Sequence, residues 1–84
     1  MYQYYIIEIQ KFHDGSYAHL VHYEYDEDPD IARDKGESKY HAVLTAAAVS
    51  NTAMHGATLI SADGKPRRNE CYVHNQGGDA NADT

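Results

Sequence analysis

Two stretches near the N-terminus alternate apolar and polar side chains with a period of two residues. They are YQYYIIEIQKF, residues 2–12, and YAHLVHYEY, residues 17–25. Both are rich in Tyr, Ile and Val, which favour strands, and an Asp-Gly pair lies between them. The pattern therefore predicts a β-hairpin.

Two loop lengths fit this hairpin, and they give different registers. A two-residue loop, Asp14-Gly15, pairs Ile7 with His22 and leaves both faces of the hairpin mixed. A three-residue loop that also includes His13, with Gly15 in the left-handed conformation, pairs Ile7 with Val21 and gathers apolar residues on one face. We favour the three-residue loop. The other face then carries Tyr4, Ile6, Glu8, Leu20, His22 and Glu24.

A helical period replaces the alternation in the middle of the chain. Asp34 and Glu37 have capping-box spacing, which predicts a helix that begins after Asp34 and ends near Asn51. The acidic segment 26–34 contains Pro29 and is predicted to be a solvated loop. The helix then buries a stripe at i, i+3, i+4, i+7 and i+8, formed by Tyr40, Val43, Leu44, Ala47 and Ala48.

A second hairpin follows the helix, with strands at 57–62 and 67–74 around Asp63-Gly64. Pro66 fits the start of an edge strand because it has no backbone N–H. Residues 75–84, NQGGDANADT, have no bulky apolar side chain and are predicted to be a disordered tail.

These elements predict one α+β domain over residues 1–74, in the order ββαββ. The sheet should be four-stranded and antiparallel, with the single helix packed on one face. A right-handed crossover from the second to the third strand gives the strand order 2-1-3-4.

The charge of the chain limits its partners. It has 84 residues, 13 Asp and Glu against 7 Lys and Arg, and a formal net charge of −6. Such a surface repels phosphate backbones, so no nucleic-acid partner is expected. No segment approaches the roughly 20 apolar residues of a membrane span, so no membrane association is expected. The single cysteine, Cys71, suits a reducing compartment, and we expect a cytoplasmic or virion-associated protein.

Candidate chemistry is sparse. His19 and His22 point to opposite faces of a strand, and the other histidines have no ligand spacing, so no metal or other cofactor is expected. Cys71 is interpreted as a small buried hydrophobe. Tyrosines on a sheet could stack on bases, but Glu8 and Glu70 are expected beside them. The sequence contains no nucleophile elbow or phosphate-binding loop, and we do not expect an enzyme.

Two under-polar surfaces indicate association with another protein chain, either a partner or a second copy. One is the sheet face that the helix leaves uncovered. The other is the outer face of the helix, where small residues replace the expected charges. The predicted interface residues are Tyr4, Ile6, Leu20 and His22 on the sheet, and Ala42, Ala46 and Val49 on the helix.

The chain resembles a family of short phage- and prophage-associated proteins of gut Gram-positive bacteria. The likeness rests on the Tyr-Tyr-hydrophobic first strand, on Ser38-Lys39-Tyr40-His41, on Ala47-Ala48-Val49-Ser50 and on the aromatic last strand ending in His74. It covers residues 2–74, and Gly36 stands where the family has Ala. The resemblance implies an accessory protein encoded near virion tail genes, and it implies no catalytic residue.

The sequence thus predicts a small accessory or assembly protein that acts through protein–protein contacts, with a virion component as an expected partner. The alternative is an acidic inhibitor or nucleic-acid mimic that blocks a host DNA-binding protein. That alternative rests on the acidic run from Glu24 to Asp34.

Overall fold

The computed structural model describes residues 1–74 of the chain. The predicted tail at 75–84 lies outside these residues. The elements are β1 (Tyr2–Lys11), β2 (Tyr17–Asp26), α1 (Pro29–Ala48), β3 (Met54–Ile60) and β4 (Pro66–Val73). The predicted ββαββ order is confirmed.

The two hairpins close with the same loop. In the first, Phe12 N donates to Ser16 O over 2.8 Å, and Gly15 N donates to Phe12 O over 2.9 Å. In the second, Ser61 N donates to Lys65 O over 3.0 Å, and Gly64 N donates to Ser61 O over 2.8 Å. Gly15 and Gly64 have φ of 92° and 84°, in the left-handed region that a three-residue loop requires.

The first loop fixes the register that we favoured from sequence. Ile7 pairs with Val21 and Tyr5 pairs with Tyr23 in an uninterrupted antiparallel ladder. The sheet has the order β2-β1-β3-β4, as predicted. Because β1 is antiparallel to both of its neighbours, β2 and β3 are parallel, and α1 makes the crossover between them.

The helix begins earlier than predicted. Asp28 is the N-cap, and its carboxylate accepts from Asp30 N over 2.8 Å and from Ile31 N over 3.1 Å. Pro29 occupies the first turn, where its missing N–H costs nothing. The prediction of a loop over 26–34 with Asp34 as the cap was therefore wrong. The acidic residues that favoured a loop instead suit the positive end of the helix dipole.

Gly36 lies inside the helix, where the helix packs against Tyr4 of β1. A Cβ on this residue would lie 2.9 Å from the Cβ of Tyr4. Glycine therefore lets the helix approach β1, and its low helix propensity is offset by that contact. The helix ends at Ala48 with Val49 as the C-cap, a few residues before the predicted end.

The core lies between α1 and one face of the sheet. It is formed by Ile6, Tyr40, Val43, Leu44, Ala57 and Leu59. Ile6 and Tyr40 are 0 % exposed. The helix thus covers the face that carries Ile6 and Glu8, so the prediction that this face is open was wrong.

The covered face is set by chain handedness rather than by the number of apolar residues. Crossovers between parallel strands are right-handed in nearly all proteins, which permits only one face for the helix. The face so covered holds Glu8, His22 and His55 among its apolar residues. These polar groups are tolerated because they bind one another.

Candidate functional site

The opposite side of the sheet carries no helix, and we call it the open face. Its tyrosines and aliphatic residues follow from the pairing register, since paired residues share a face. It consists of Gln3, Tyr5, Ile7, Ile9 and Lys11 of β1, Tyr17, His19, Val21, Tyr23 and Tyr25 of β2, Met54, Gly56, Thr58 and Ile60 of β3, and Asn69, Cys71 and Val73 of β4.

Large apolar side chains on the open face are exposed to an unusual degree. Tyr17, Tyr23 and Tyr25 are each 54–56 % exposed, Val21 is 47 % exposed and Val73 is 77 % exposed. Isolated exposed hydrophobic residues are ordinary, but a contiguous set across one sheet face marks a surface of interaction.

Two of the exposed tyrosines, Tyr17 and Tyr23, contact neighbouring side chains of the open face. The rings of Tyr5 and Tyr23 meet edge to face with centroids 5.4 Å apart. The ammonium group of Lys11 lies 5.7 Å from the centroid of the Tyr17 ring. These contacts fix the rings before a partner arrives, which lowers the entropy lost on binding.

No acidic side chain lies on the open face in the described part of the chain. Glu8, Glu24, Asp26 and Glu70 belong to the helix-covered face, where they pair with residues such as Leu20 and Ala57. The expectation of acids beside the sheet tyrosines holds for Tyr2 and Tyr4, which pair with Asp26 and Glu24, and is wrong for the tyrosines of the open face. Lys11 and His19 are the titratable cations of the open face, so a strongly acidic chain presents one nearly neutral surface.

Three of the predicted interface residues lie beneath or beside the helix. Ile6 is fully buried in the core, Tyr4 is half-buried against Gly36, and His22 is half-buried against Glu8. As open-face contacts these three predictions were wrong, because the helix covers their side of the sheet.

The other predicted interface residues are accessible. Leu20 also lies on the helix side of β2, so its prediction as an open-face residue was wrong as well, although it is 50 % exposed. Ala42 and Ala46 are exposed on the outer face of α1, and Val49 is 83 % exposed at its C-terminal end. They form small apolar areas away from the open face.

A second site candidate is a buried carboxylate between two imidazoles. Glu8 is 8 % exposed and His55 is 4 % exposed. Glu8 Oε1 accepts from His22 Nε2 over 2.7 Å, and Glu8 Oε2 accepts from His55 Nε2 over 2.5 Å. Burial raises the pKa of Glu8, but the hydrogen bonds from His22 and His55 outweigh burial, and the pKa is lowered from its usual value.

The network continues from His55 to the turn after the helix. His55 Nδ1 lies 2.8 Å from Ser50 Oγ, which also lies 2.9 Å from Thr52 Oγ1 and 3.2 Å from Ala47 O. An ionised carboxylate can only accept, so His55 Nε2 donates to Glu8, and His55 Nδ1 forms a second hydrogen bond with Ser50 Oγ. The linked groups join β1, β2 and β3 to the end of α1.

This chain of groups has the order carboxylate, imidazole and hydroxyl, which nucleophilic enzymes also use. Here the Ser50 hydroxyl is engaged by three neighbours and the imidazole is buried. Three clefts beside the helix, in the described part of the chain, are lined by other residues. We therefore interpret the network as a set of hydrogen bonds that stabilises the α1–β3 connection.

A third polar group lies between the helix and β4. Tyr40 donates to Glu70 Oε1 over 2.9 Å, and Arg68 donates to Glu37 Oε1 over 3.1 Å. Burial, together with the hydrogen bond to Glu70, raises the pKa of Tyr40 to about 12. These contacts tie the exposed edge strand β4 to the helix.

Cys71 is exposed on the open face, so its interpretation as a buried residue was wrong. It pairs with Gly56, whose missing side chain leaves room for the β4 backbone: a Cβ there would lie 2.7 Å from Glu70 O. The sequence carried no sign of this, because the side of an edge strand depends on its register with β3.

Among residues 1–74, no group of three or more His, Cys, Asp or Glu side chains is arranged to hold a metal ion. No helix in the same part of the chain has the length and apolar content needed to cross a membrane. Comparison with protein-family models, with curated proteins and with solved structures finds no match to this chain.

Proposed function

We propose that this chain is a protein-binding domain that docks a partner protein on its open face. The observation that carries the proposal is the segregation of charge. The chain has a net charge of −6, yet the open face holds exposed tyrosine and valine side chains and no carboxylate in its described residues. Binding is its whole role in this proposal, with no reaction of its own.

The partner is a protein surface with exposed apolar side chains and no excess of negative charge. An acidic partner would be repelled by the net charge of −6, whereas the open face itself offers aromatic and aliphatic contact area. Four strands about 4.8 Å apart and roughly 25–33 Å long give a face of about 500–600 Å² in projection. That area suits a modest, specific protein–protein interface.

A nucleic-acid ligand fits the open face less well. Bases stack on tyrosines, but the backbone phosphates of a strand need several cations. Lys11 is the lone Lys or Arg among the open-face residues. The net charge of the chain would add repulsion along the rest of the ligand.

The setting of this function follows from the family resemblance alone. On that basis the chain is an accessory or assembly protein of a phage, found in the host cytoplasm or on the virion. Its partner is then a virion protein encoded close to it.

The test compares two identical substitutions on opposite sides of the molecule. Thr58→Glu places a carboxylate in the centre of the open face, and Thr45→Glu places one on the exposed outer side of α1. Binding to each purified virion protein encoded beside the chain is measured by titration calorimetry. We expect Thr58→Glu to weaken binding about tenfold or more and Thr45→Glu to leave it unchanged.

Equal affinity of both variants for a bound partner would contradict the proposal. So would the absence of binding to every neighbouring virion protein at about millimolar concentration. Unfolding curves of the two variants confirm that each is folded, so that a loss of binding is a property of the surface.

The acidic-inhibitor hypothesis has one observation in its favour. The segment Asp28–Asp34 is ordered as the start of α1, so its carboxylates form a fixed array instead of a loop. A basic host protein would then bind at this end of the molecule. Its affinity would fall steeply as salt is raised, whereas docking on the open face would change little with salt.

A further inference from the structure

The outer edge of β2 has no neighbouring strand in the sheet formed by residues 1–74. β2 is the terminal strand of the sheet, ten residues long, and its ladder with β1 has no bulge. Soluble proteins usually protect such an edge with proline, lysine or a bulge. β2, with the sequence YAHLVHYEYD, has neither proline nor lysine.

The loop geometry shows which backbone groups of β2 face outward. Phe12 and Ser16 form a hydrogen-bonded pair at the loop, and hydrogen-bonded pairs recur every second residue along an antiparallel ladder. The even-numbered residues of β2 therefore bind β1. The N–H and C=O groups that point away from the sheet belong to Tyr17, His19, Val21, Tyr23 and Tyr25.

One contact supports this assignment directly. Lys35 Nζ donates to the carbonyl oxygen of Tyr25 over 3.3 Å and to Asp26 Oδ2 over 3.0 Å. The Tyr25 carbonyl is thus on the outer side of the strand. Lys35 covers one end of the edge and leaves the stretch from Tyr17 to Tyr23 open.

We propose that two copies of the chain pair antiparallel through their β2 edges, about a two-fold axis at Val21, and form one eight-stranded sheet. Val21 is the midpoint of the outward-facing residues, so this register pairs His19, Val21 and Tyr23 in full, and at its ends the Tyr25 carbonyl also keeps its bond to Lys35. It pairs Val21 with Val21, His19 with Tyr23 and Tyr17 with Tyr25. Aromatic and β-branched cross-strand pairs of this kind stabilise antiparallel sheets.

A second copy in this register brings no two β2 carboxylates together. In the proposed register Glu24 lies beside Ala18 of the other copy and Asp26 lies beside Ser16, so no carboxylate meets another. Leu20, which is 50 % exposed, would lie beside His22 and lose part of its exposed surface. The strand is its own complement, and a second copy is therefore the favoured occupant.

The pairing is independent of the partner proposed for the open face. It uses the backbone edge, and the side chains of the open face remain available. Both open faces would lie on the same side of the joined sheet, which doubles the docking surface for a virion protein.

Amide hydrogen exchange of the wild-type chain tests the pairing within a single strand. Exchange of the β2 amides is compared at about 0.05 mM and about 1 mM protein. We expect the amides of His19, Val21 and Tyr23 to exchange about tenfold more slowly at the higher concentration. Those of Leu20 and His22, which already bind β1, should change much less and serve as the internal control.

A proline variant tests the proposed β2 pairing through the dimer dissociation constant. Val21→Pro removes the outward N–H at the two-fold axis and leaves the bonds to β1 intact, as edge prolines do in other sheets. Val21→Thr keeps the N–H and the branched shape. Sedimentation equilibrium should show a dimer dissociation constant raised about thirtyfold by Val21→Pro and nearly unchanged by Val21→Thr.

Three results would overturn the inference. The first is a wild-type chain that stays monomeric at about 1 mM, with odd-numbered amides insensitive to concentration. The second is a dimer that Thr58→Glu disrupts and Val21→Pro does not, which would place the contact on the open face. The third is protection of these amides only in the presence of a different protein. The exchange experiment decides the matter even if Val21→Pro fails to fold.

Discussion

The two faces of the sheet both carry apolar residues but have different physical roles. On the helix-covered face, Ile6 and Leu59 are at most 1 % exposed, and the carboxylate of Glu8 is buried with its two histidine partners. On the open face, Tyr17, Tyr23 and Val21 are about half exposed. The position of the helix thus determines which side chains are buried. The polar side chains among them form hydrogen bonds with one another.

This difference teaches how a small domain can bury charge. A lone buried carboxylate would be costly, but two imidazole N–H donors offset that cost at Glu8. The open face needs no such arrangement because water solvates its hydroxyl groups. The covered face therefore determines stability, and the open face is free to serve binding.

The largest expected effect is the difference in stability lost when each of two neighbouring isoleucines is replaced by alanine. Ile6→Ala removes a fully buried side chain and leaves a cavity under α1, so the free energy of unfolding should fall by about 2–5 kcal/mol. Ile7→Ala removes a half-buried side chain from the open face and should cost roughly 1 kcal/mol. Urea unfolding followed by circular dichroism measures both. Equal losses would mean that both faces are packed to the same degree.

The second expected effect is smaller and concerns the loss of stability in acid that Glu8 on the helix-covered face causes. The pKa of Glu8 is lower in the folded chain than its unfolded value of 4.5, so the unfolded chain binds more protons as the pH falls. The stability from this group is therefore complete above pH 4.5 and is lost as the pH falls through the folded pKa. Glu8→Gln should remove this part of the pH dependence and lower the stability at neutral pH by about 1.5–3 kcal/mol.

Exposed carboxylates would otherwise obscure this measurement. Asp14 and Asp63 have lowered pKa values because Ser16 and Ser61 donate hydrogen bonds to them. Their contribution is the same in wild type and in Glu8→Gln, so the difference between the two curves isolates Glu8. Glu24→Gln, also on the helix side of the sheet, is the matched control. Parallel acid-unfolding curves for wild type and Glu8→Gln would refute the proposed role of this network.

Local signals in the sequence predicted the four strands and the single helix, and the handedness of the crossover gave the strand order. Asp14-Gly15 and Asp63-Gly64 mark loops of one type, and the alternation on either side of the first loop fixes its register. Asp28 followed by Pro29 is also a local signal for a helix start. The prediction missed it because an acidic, proline-containing run is typical of loops as well.

Such local patterns could not predict which face of the sheet the helix covers. Tyr4 and Ile6 on one side of β1 are as apolar as Tyr5 and Ile7 on the other, so hydrophobicity gives no choice between them. The hydrogen bond between Glu8 and His55 joins residues 47 positions apart in the sequence, and it depends on the β1–β3 register. Chain handedness and long-range pairing decide both, and neither is a property of a short window.

The smallest expected effect compares two tyrosine hydroxyls. Tyr40→Phe removes the hydrogen bond to Glu70 from a fully buried ring, and the free energy of unfolding should fall by about 1 kcal/mol. Tyr23→Phe removes a hydroxyl from a ring that is 54 % exposed, where water replaces any lost contact, so stability should hardly change. Thermal unfolding of both variants against wild type measures the contrast. A loss for Tyr23→Phe as large as that for Tyr40→Phe would show that the open-face hydroxyls also support the fold, and the division between a stabilising face and a binding face would fail.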